Sequence, residues 1–446
     1  MDALYKGKKV LVIGMGLSGR SAATFLLQQG AQVIGIDRDS ALLKNNPQIL
    51  KLKEAGLSVQ HENEIDSLAS FNLAILSPGI SRTHPIVQQA LSDNIELIGE
   101  IQLGCRHAKQ PLIGITGTNG KTTVTLLVAH VLNQNGFSAK ALGNIGEPLA
   151  QEMSYLGSEE IIVLELSSQQ LESLGGPFLE QGVILNITPD HLDCYSTMED
   201  YAAAKLSMQG CMKPGGKLWV EQSTFEGYAP LFHSPVSLFG YTPDCLVFTD
   251  LKAVYLEGSK SFDLPSSLNG KMSHDLDNTL AAFALCSSRG ISGEHFKKSL
   301  MTFQKPPHRI QFVIEKKGVR YYDDSKGTNV DAVIKAVCSI EGPIVLIAGG
   351  VDKGSSYTPW LQPFKDKVKY ICAIGQAAAK LEGQLAGEIP VFILANLEHA
   401  VRKAEGLAEK GGAVLLSPGC ASYDMFKNYV QRGEEFQRLV RRDFND

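Results

Sequence analysis

The residues best suited to chemistry lie at positions 116–123, Thr-Gly-Thr-Asn-Gly-Lys-Thr-Thr. They follow an apolar run over 111–115 and precede a helical pattern over 124–131. A glycine-rich turn between a strand and a helix points backbone N–H groups and the positive end of the helix dipole at one small volume. Lys121 adds a cation, and the Thr122 hydroxyl is placed to reach a magnesium ion. The pattern predicts a loop that holds the phosphates of ATP.

This loop departs from the usual phosphate-loop pattern at one position. That pattern has glycine five residues before the Gly120-Lys121 pair, where this chain has Ile115. A turn that happens to contain Gly-Lys-Thr is the alternative interpretation. The strand, loop and helix follow one another in the required order, which favours the nucleotide site.

A second glycine motif lies near the start of the chain, as Gly14-Met15-Gly16-Leu17-Ser18-Gly19. It follows a predicted strand over 9–13, and Asp37 ends the next strand. Taken alone, the motif predicts dinucleotide binding. Its glycines also suit any other diphosphate, so a nucleotide sugar is an equal alternative, and tight packing of helix on strand is a third. The segment 77–79, Ser-Pro-Gly, follows another strand and either lines the same crevice or forms a turn.

Polar residues follow further strands of the central region. Glu165 comes after the apolar run 161–164, and Asp190-His191 follows the run 182–188. A carboxylate at a strand end beside a phosphate loop is a common magnesium ligand. His191 is either a surface residue or a ligand, and its neighbours Asp190 and Asp193 make the second interpretation as strong as the first. Asn144 could contact a substrate or support a turn, and composition favours a solvated position for Lys205 on its predicted helix.

The last part of the chain contains several glycine-rich, charged loops after apolar strands, a pattern typical of ligand-binding loops. Any one of them could be ordinary surface structure, but together they favour a binding surface. They are His308-Arg309, the segment 323–329, the segment 349–354 and the segment 417–429.

These motifs require alternating strands and helices to position them. Predicted strands occur at 9–13, 33–37, 73–77, 161–166, 183–187, 343–348, 370–374 and 413–416, and predicted helices at 19–29, 122–133 and 198–209. This alternation is typical of α/β domains with parallel sheets. Pro306-Pro307 marks a break, since two prolines cannot continue a helix. With 446 residues, the chain is expected to form three α/β domains over 1–100, 101–306 and 307–446.

The composition restricts the possible partners. The net charge of −5 offers no basic field for nucleic acid or an anionic membrane. The 8 cysteines include no Cys-x-x-Cys pair, which argues for free thiols in a reducing compartment. No apolar run approaches the roughly 20 residues that span a bilayer, and the first residues lack a signal-peptide pattern. We expect a cytoplasmic, soluble protein with no nucleic-acid or membrane partner.

Taken together, the motifs resemble those of the Mur ligases, the ATP-dependent amino-acid-adding enzymes of peptidoglycan synthesis, over nearly the whole chain. The phosphate loop from Gly117 to Thr123 has the form that these ligases share with folylpolyglutamate synthetases, which accounts for Ile115. The segments 324–329 and 417–428, followed by Arg432-Gly433-Glu434, resemble those of the members that add D-glutamate. An NAD-dependent oxidoreductase, another ligase of the superfamily and a noncatalytic ATP-binding regulator are the alternatives.

The resemblance implies a Rossmann-like N-terminal domain that binds the UDP-sugar, a P-loop-type central ATPase domain and an α/β C-terminal domain that binds the amino acid. It implies ATP and two Mg²⁺ ions as cofactors, and we expect a monomer. Lys205 occupies the position of the lysine that the family carbamylates. The implied catalytic residues are Lys121, His191 and Lys205, and the implied metal ligands are Thr122, Glu165, His191 and Lys205. The implied ATP-binding residues are Gly117, Thr118, Asn119, Gly120, Lys121, Thr122, Thr123, Asn278, Arg309 and Asp324. The UDP-sugar would contact Leu17, Ser18, Asp37, Arg38, Ser77, Gly79, Asn144 and His191, and D-glutamate would contact Thr328, Lys353, Ser422 and Tyr429.

One departure from the family bears on adenine recognition. The family usually has His-Asn-x-x-Asn where this chain has His274-Asp275-Leu276-Asp277-Asn278. An asparagine side chain both donates and accepts hydrogen bonds, whereas an ionised aspartate only accepts them. We therefore expect weaker discrimination of adenine at Asp275.

Overall fold

A computed structural model describes residues 4–192, 194–270 and 272–442 of the chain. The chain divides into two compact units. The first comprises 1–185, 203–271 and 276–303, and the second comprises 186–202, 272–275 and 304–446. The first unit contains two β-sheets and the second contains one. Within the described residues, no helix is both long and apolar enough to cross a membrane.

The first sheet has five parallel strands in the order β3-β2-β1-β4-β5. Its strands are β1 (Lys9–Ile13), β2 (Gln32–Asp37), β3 (Ser58–His61), β4 (Leu73–Leu76) and β5 (Glu96–Gly99). The helices of this region are α1 (Leu17–Gln28), α2 (Ser40–Asn45), α3 (Pro47–Glu54), α4 (Pro85–Ser92) and α5 (Glu100–His107). Alternate residues of β1 enter two separate apolar clusters, Val10 and Val12 in one and Leu11 and Ile13 in the other. Both faces of the sheet are therefore covered, as a parallel sheet requires.

The second sheet has nine strands in the order β14-β13-β12-β11-β10-β9-β6-β8-β7. They are β6 (Leu112–Thr116), β7 (Ala139–Gly143), β8 (Ile161–Glu165), β9 (Leu179–Ile184), β10 (Met212–Glu221), β11 (Ser237–Gly240), β12 (Val247–Thr249), β13 (Ala253–Leu256) and β14 (Ser259–Asp263). The strands from β7 to β12 pair in parallel, whereas β13 and β14 extend the edge as an antiparallel hairpin. The next helices along the chain are α6 (Lys121–Gln134), α7 (Leu149–Glu152), α8 (Ser168–Ser173), α9 (Met198–Leu206), α10 (Gln222–Tyr228), α11 (His274–Ser287) and α12 (Gly293–Thr302).

The third sheet has six strands in the order β15-β16-β20-β17-β18-β19. They are β15 (Gln311–Lys316), β16 (Val319–Asp323), β17 (Ile344–Gly349), β18 (Val368–Ile374), β19 (Val391–Ile393) and β20 (Ala413–Leu416). All pairs are parallel except β15 with β16. Its helices are α13 (Val330–Ser339), α14 (Leu361–Phe364), α15 (Ala378–Leu385), α16 (Leu397–Leu407) and α17 (Tyr429–Val440). The adjacent strands β16, β20 and β17 bring the loops that follow them to one edge of this sheet.

The predicted α/β alternation is confirmed, with shifts at some element ends. The largest concerns β9, which runs over Leu179–Ile184 instead of 183–187. The strand begins early because Leu179 already pairs with Met212 of β10. After Ile184 the chain leaves the sheet, although the Leu185 N–H still donates to the Thr116 carbonyl at 3.0 Å.

Glu100, the first residue of α5, carries a buried carboxyl group that accepts a hydrogen bond from a backbone amide. It is 2% exposed, and its Oε1 accepts the Ala150 N–H at 2.7 Å. Burial raises its pKa from 4.5 to about 7, although the Ala150 N–H opposes the rise. Because the folded-state pKa is raised, the neutral carboxyl favours the folded state below about pH 4.5, and this contribution is lost as the pH rises to about 7.

We therefore expect Glu100→Gln to stabilise the protein at pH 8, by about 3 kcal/mol from the size of the pKa shift. Glutamine keeps an oxygen for the Ala150 N–H without burying a charge. The gain should shrink as the pH falls towards 4.5. Thermal unfolding at pH 5.5 and pH 8 measures this difference, with the exposed Glu159→Gln as the matched control. An equal gain at both pH values would contradict a charged Glu100 at pH 8.

Candidate active site

The predicted phosphate loop joins β6 to α6 in the first unit. Gly117 and Gly120 have φ values of 150° and 89°, which suit glycine. The Lys121 ammonium group donates to the Gly117 and Thr118 carbonyl oxygens, both at 2.8 Å. Lys121 therefore lies folded over its own loop, with its charge at the opening of α6. This arrangement concentrates N–H donors and one cation where an anion can bind.

Both the strand before the loop and the loop itself are tightly packed. Ile115 is fully buried in the apolar core beneath β6, so the position that is usually glycine is here a packed strand residue. A Cβ atom on Gly120 would lie 2.3 Å from the Asn278 Oδ1 atom. The Asn278 side chain thus packs directly against the loop, and both residues belong to the first unit. The predicted nucleotide residue Asn278 is therefore adjacent to the predicted phosphate site.

Glu165, Asn144 and Lys205 also lie beside this loop. Glu165 ends β8 and pairs in register with Ile115 of β6. It is 1% exposed, and its Oε1 accepts from the Asn144 Nδ2 at 2.8 Å. Lys205 is also 1% exposed, and its ammonium group donates to the Gly117 carbonyl at 3.0 Å. The solvated position that composition favoured for Lys205 is therefore wrong, because the side chain is directed inward from α9 onto the phosphate loop.

The second carboxylate oxygen of Glu165 indicates whether a cation fits beside this residue. Its Oε2 is buried and has no hydrogen-bond partner among the described residues. A buried carboxylate oxygen without a donor is costly unless a cation or a proton neutralises it. The part of the chain that the structure describes holds no cluster of three His, Cys, Asp or Glu side chains suited to a metal. The Glu165 oxygen fits a magnesium ion that is otherwise coordinated by phosphate and water.

A cleft of about 750 Å³ lies in the first unit beside the N-terminal glycine motif. Seven of the residues predicted to contact a UDP-sugar line it: Leu17, Ser18, Asp37, Arg38, Ser77, Gly79 and Asn144. The structure therefore brings together residues separated by more than a hundred positions in the sequence. Glu62, His84 and Gln170 also line the cleft. None of the three was predicted as a site residue, since Glu62 and His84 belong to no motif and Gln170 stands out only as part of a polar run after Glu165.

The walls of this cleft are fixed by short side-chain hydrogen bonds. The Ser77 hydroxyl donates to the Gly14 carbonyl at 2.8 Å. Asp37 accepts the Met15 N–H at 2.8 Å through one oxygen and the Asp39 N–H at 2.9 Å through the other. Asp37 thus holds the glycine loop in place through its own carboxylate. Leu17 is 52% exposed and gives the cleft an apolar surface.

In the second unit, Asp190 contacts two predicted site residues, Lys353 and His191, and a third residue, Asn329. Its Oδ1 pairs with the Lys353 ammonium group at 3.1 Å, and its Oδ2 accepts from the Asn329 Nδ2 at 3.1 Å. The His191 N–H donates to Oδ1 at 2.9 Å, and His191 has a φ of 56°, which is uncommon for a residue other than glycine. Burial alone would raise the pKa of Asp190, but Lys353, His191 and Asn329 together hold it below its usual value. Asp190 is therefore an anion that fixes Lys353.

The predicted nucleotide residue Asp324 lies in a very different environment. It is 6% exposed, and its Oδ2 accepts the Ser417 hydroxyl at 2.6 Å while its Oδ1 accepts the Ile310 N–H at 3.2 Å. Burial raises its pKa to about 7, although the Ser417 hydrogen bond and the Arg309 charge oppose the rise. Arg309 and Asp324, both predicted nucleotide residues, therefore interact electrostatically within the second unit.

The four residues predicted to contact D-glutamate lie on loops around one edge of the third sheet. Thr328 is half-buried after β16, Lys353 follows β17, and Ser422 is 3% exposed after β20. Tyr429 begins α17, and its carbonyl accepts the Ser325 hydroxyl at 2.8 Å.

The buried Arg432 joins two of these loops, because its guanidinium group donates to the carbonyls of Ser325 and Cys420. In the sequence, Arg432 stands out only as part of a motif. Its burial and its contacts become visible only in the structure.

The predicted site residues thus fall into two groups. One group surrounds the phosphate loop and the cleft of the first unit, and the other surrounds Asp190 in the second unit. His191, Arg309, Asp324, Thr328, Lys353, Ser422 and Tyr429 belong to the second unit, and the other predicted site residues belong to the first. Asp193 lies outside the described residues.

Known proteins with related sequences match the whole chain. The Mur ligase MurD-like N-terminal domain matches residues 8–99, the Mur ligase middle domain matches 115–286 and the Mur ligase glutamate ligase domain matches 308–420. A UDP-N-acetylmuramoylalanine–D-glutamate ligase of Protochlamydia amoebophila is 54% identical over 437 residues, covering 98% of each chain. A ligase of the same name from Caldanaerobacter subterraneus is 37% identical over 455 residues, again covering 98% of each. In fold, the chain is similar to the UDP-N-acetylmuramate-alanine ligase of Thermotoga maritima, with a TM-score of 0.61, 16% identity and coverage of 97% and 99%.

Proposed function

The chain belongs to the Mur ligase family, and from this premise we propose that it adds D-glutamate to UDP-N-acetylmuramoyl-L-alanine, with conversion of ATP to ADP and phosphate, in the synthesis of peptidoglycan precursors. The observation that carries the proposal is the 54% identity, over 98% of both chains, to a relative named for this reaction. The ion pair between Lys353 and the buried Asp190 supports the proposal, because the Lys353 ammonium group already lies 3.1 Å from a carboxylate oxygen.

The reaction needs ATP because a carboxylate is a poor electrophile. The L-alanyl carboxylate attacks the γ-phosphate, ADP leaves, and an acyl phosphate forms. The neutral amine of D-glutamate then attacks the acyl carbon, and phosphate leaves from the tetrahedral intermediate. The enzyme contributes chiefly by positioning the groups and by neutralising the charge on the transferring phosphoryl group.

We assign the phosphate-binding role to the loop Gly117–Thr123, with Lys121 as its cation. In the structure, the Lys121 ammonium group is bound to two carbonyls of the same loop. Triphosphate oxygens at the opening of α6 would take their place, because a charge-assisted hydrogen bond to phosphate is stronger than one to a neutral carbonyl. Asn278, Arg309 and Asp324 complete the proposed set of nucleotide residues.

Two magnesium ions, when bound, would neutralise phosphate charge and polarise the transferring group. We propose that Thr122 and Glu165 hold the first ion, and that His191 and a carbamylated Lys205 hold the second. The unsatisfied Glu165 oxygen supports the first assignment. The burial of Lys205 against the phosphate loop supports the second, since a carbamate would place an anionic oxygen there while its N–H could still donate to Gly117.

The substrates are assigned to the two remaining sets of residues. The cleft lined by Leu17, Ser18, Asp37, Arg38, Ser77, Gly79 and Asn144 is proposed to bind the UDP-sugar, with His191 near its acceptor end. Thr328, Lys353, Ser422 and Tyr429 are proposed to bind D-glutamate. We propose the domain limits 1–100, 101–306 and 307–446, a monomeric state and a cytoplasmic location, with these small molecules as the only partners.

Asp275, where the family usually has asparagine, has a direct consequence for the affinity for ATP. Its carboxylate pairs with the Lys305 ammonium group at 2.5 Å, and both side chains are largely exposed. We expect Asp275→Asn to lower the Kd for ATP about threefold, because an amide can donate to as well as accept from an adenine edge. Titration of the nucleotide in the Lys305→Gln background tests the same change without the ion pair. An unchanged or higher Kd in both backgrounds would contradict the assignment of Asp275 to the adenine edge.

The proposed reaction is tested by phosphate release from ATP with UDP-N-acetylmuramoyl-L-alanine present and amino acids supplied one at a time. Release that requires both the sugar nucleotide and D-glutamate is the expected result. Release with a different amino acid would keep the ligase chemistry and contradict the assignment of Thr328, Lys353, Ser422 and Tyr429. If no amino acid supports release, a titration with NADH distinguishes an oxidoreductase from a noncatalytic nucleotide-binding protein.

A further inference from the structure

A buried tyrosine joins two of the loops that carry the proposed amino-acid site. Tyr357 is 1% exposed, and its hydroxyl donates to the Asp352 Oδ1 at 2.9 Å. The same hydroxyl oxygen lies 3.0 Å from the Cys420 sulfur. A phenol has only one proton, which is engaged by Asp352, so the thiol must donate the second hydrogen bond. Burial raises the pKa of Cys420 to about 11, so that the thiol carries its proton at neutral pH.

Both hydrogen-bond partners of Tyr357 lie close in sequence to residues of the proposed amino-acid site. Asp352 precedes Lys353, and Cys420 lies two positions before Ser422. The second oxygen of Asp352 pairs with the Lys380 ammonium group at 2.8 Å, so the carboxylate is held from both sides. Lys353 itself extends to Asp190. The hydroxyl of Tyr357 is thus connected, through short contacts, to the residues beside both Lys353 and Ser422.

The main chain already brings these two loops close together. Val351 and Ala421 exchange backbone hydrogen bonds of 2.9 and 3.2 Å, and the Gly349 N–H donates to the Pro418 carbonyl at 2.8 Å. A Cβ atom on Gly350 would lie 2.2 Å from the Ala421 carbonyl oxygen, so no other residue fits there. These contacts end at residue 351. Tyr357 continues the connection to Asp352, one residue before the cation.

The ring of Tyr357 is fixed independently of its hydroxyl. Its centroid lies 5.1 Å from that of Trp360, which is fully buried. The Trp360 indole N–H donates to the Val330 carbonyl at 3.0 Å, at the start of α13. Removal of the hydroxyl alone should therefore leave the ring in place and the domain folded.

We propose that Tyr357 is a positioning residue for the amino-acid substrate: its hydroxyl holds the loop of Lys353 against the loop of Ser422 and so sets the affinity for the substrate carboxylates. This inference rests on the proposed function. Tyr357 does not contact the substrate, and the carboxylate is held by Lys353. Loss of the hydroxyl leaves one oxygen of Asp352 without its donor and frees residue 352, and with it Lys353, to shift.

The test is a comparison of kinetic constants in Tyr357→Phe and in the unsubstituted enzyme. We expect the KM for D-glutamate to rise about tenfold, a loss that corresponds to one hydrogen bond to a charged group. The KM values for ATP and for the sugar nucleotide should change less than about twofold, since neither site depends on this contact. Lys380→Met, which removes the other partner of Asp352, should raise the same constant by a smaller factor because Lys380 is partly exposed.

The matched control is Tyr321→Phe, which removes the hydroxyl of another buried tyrosine of the second unit, in β16. It should leave the KM for D-glutamate unchanged. A Tyr357→Phe enzyme with a lower melting temperature and a normal KM for D-glutamate would overturn the inference, because the contact would then be merely structural. An equal rise in all three KM values would overturn it as well. Absence of D-glutamate-dependent phosphate release from the unsubstituted enzyme would instead overturn the proposed function, and this inference with it.

Discussion

Lys121→Ala is expected to lower turnover by at least ~10²–10³-fold, the usual loss for one preorganised charge stabiliser. The reason is the position of the cation. Lys121 is the first residue of α6, and its ammonium group already lies over the loop, within 2.8 Å of two loop carbonyls. It needs little rearrangement to meet the charge that develops on the transferring phosphoryl group. Alanine keeps the helix and removes only this charge.

Steady-state phosphate release at saturating substrates measures the loss, and a separate titration measures the affinity for ATP. Lys260→Ala is the matched control, since Lys260 is an exposed lysine of the same unit, in the hairpin strand β14, where it pairs with the exposed Asp263. We expect the control to retain full turnover. A Lys121→Ala enzyme with a near-normal rate would mean that residues 117–123 do not hold the transferred phosphate.

The phosphate loop could be predicted from sequence because its chemistry is local. Strand, loop and helix follow one another directly along the chain. The predicted ends of β6 and α6 lie within one residue of the observed ends. Glu165 was predictable for a related reason. The carboxyl ends of neighbouring parallel strands meet at one edge, so a carboxylate that ends β8 must lie near the loop that follows β6.

The contacts that could not be predicted are those between residues far apart in sequence. Asp190 and Lys353 are separated by 163 positions, and no pattern in either segment indicates the other. The antiparallel hairpin of β13 and β14 was missed for a different reason. The edge strand β14, Ser-Lys-Ser-Phe-Asp, lacks the apolar run that marks a buried strand, and β13 is apolar but only 4 residues long.

Lys205 shows most clearly how composition can mislead. Lysine is almost never fully buried, so a lysine in a helical pattern is normally assigned to solvent. The structure buries all but 1% of it. The ammonium group ends on the Gly117 carbonyl. Only the resemblance to the family indicated that this lysine has a role, and only the structure shows that it reaches the phosphate loop.

Lys205→Ala is therefore expected to be nearly inactive, with a loss of at least ~10²-fold, comparable to that for other fixed charge stabilisers of the transferred group. A carbamate on Lys205 would convert a cation into an anionic oxygen ligand for magnesium. Alanine removes the carbamate and leaves a space next to Gly117 that a small carboxylic acid can enter. We expect formate or acetate to restore part of the activity, because either one replaces the missing anionic oxygen.

The matched variant is Lys205→Met, which has a similar volume but no amine to carbamylate. It should be as inactive as Lys205→Ala, and carboxylic acids should not rescue it, because the methionine side chain occupies the space that they need. Mn²⁺ binding in the presence of ATP gives a second measurement, and its affinity should fall in both variants and recover with formate only in Lys205→Ala. Rescue of both variants would mean that the acids act elsewhere. Full activity of Lys205→Ala without any additive would remove Lys205 from the metal site and leave its burial against the phosphate loop as a structural contact.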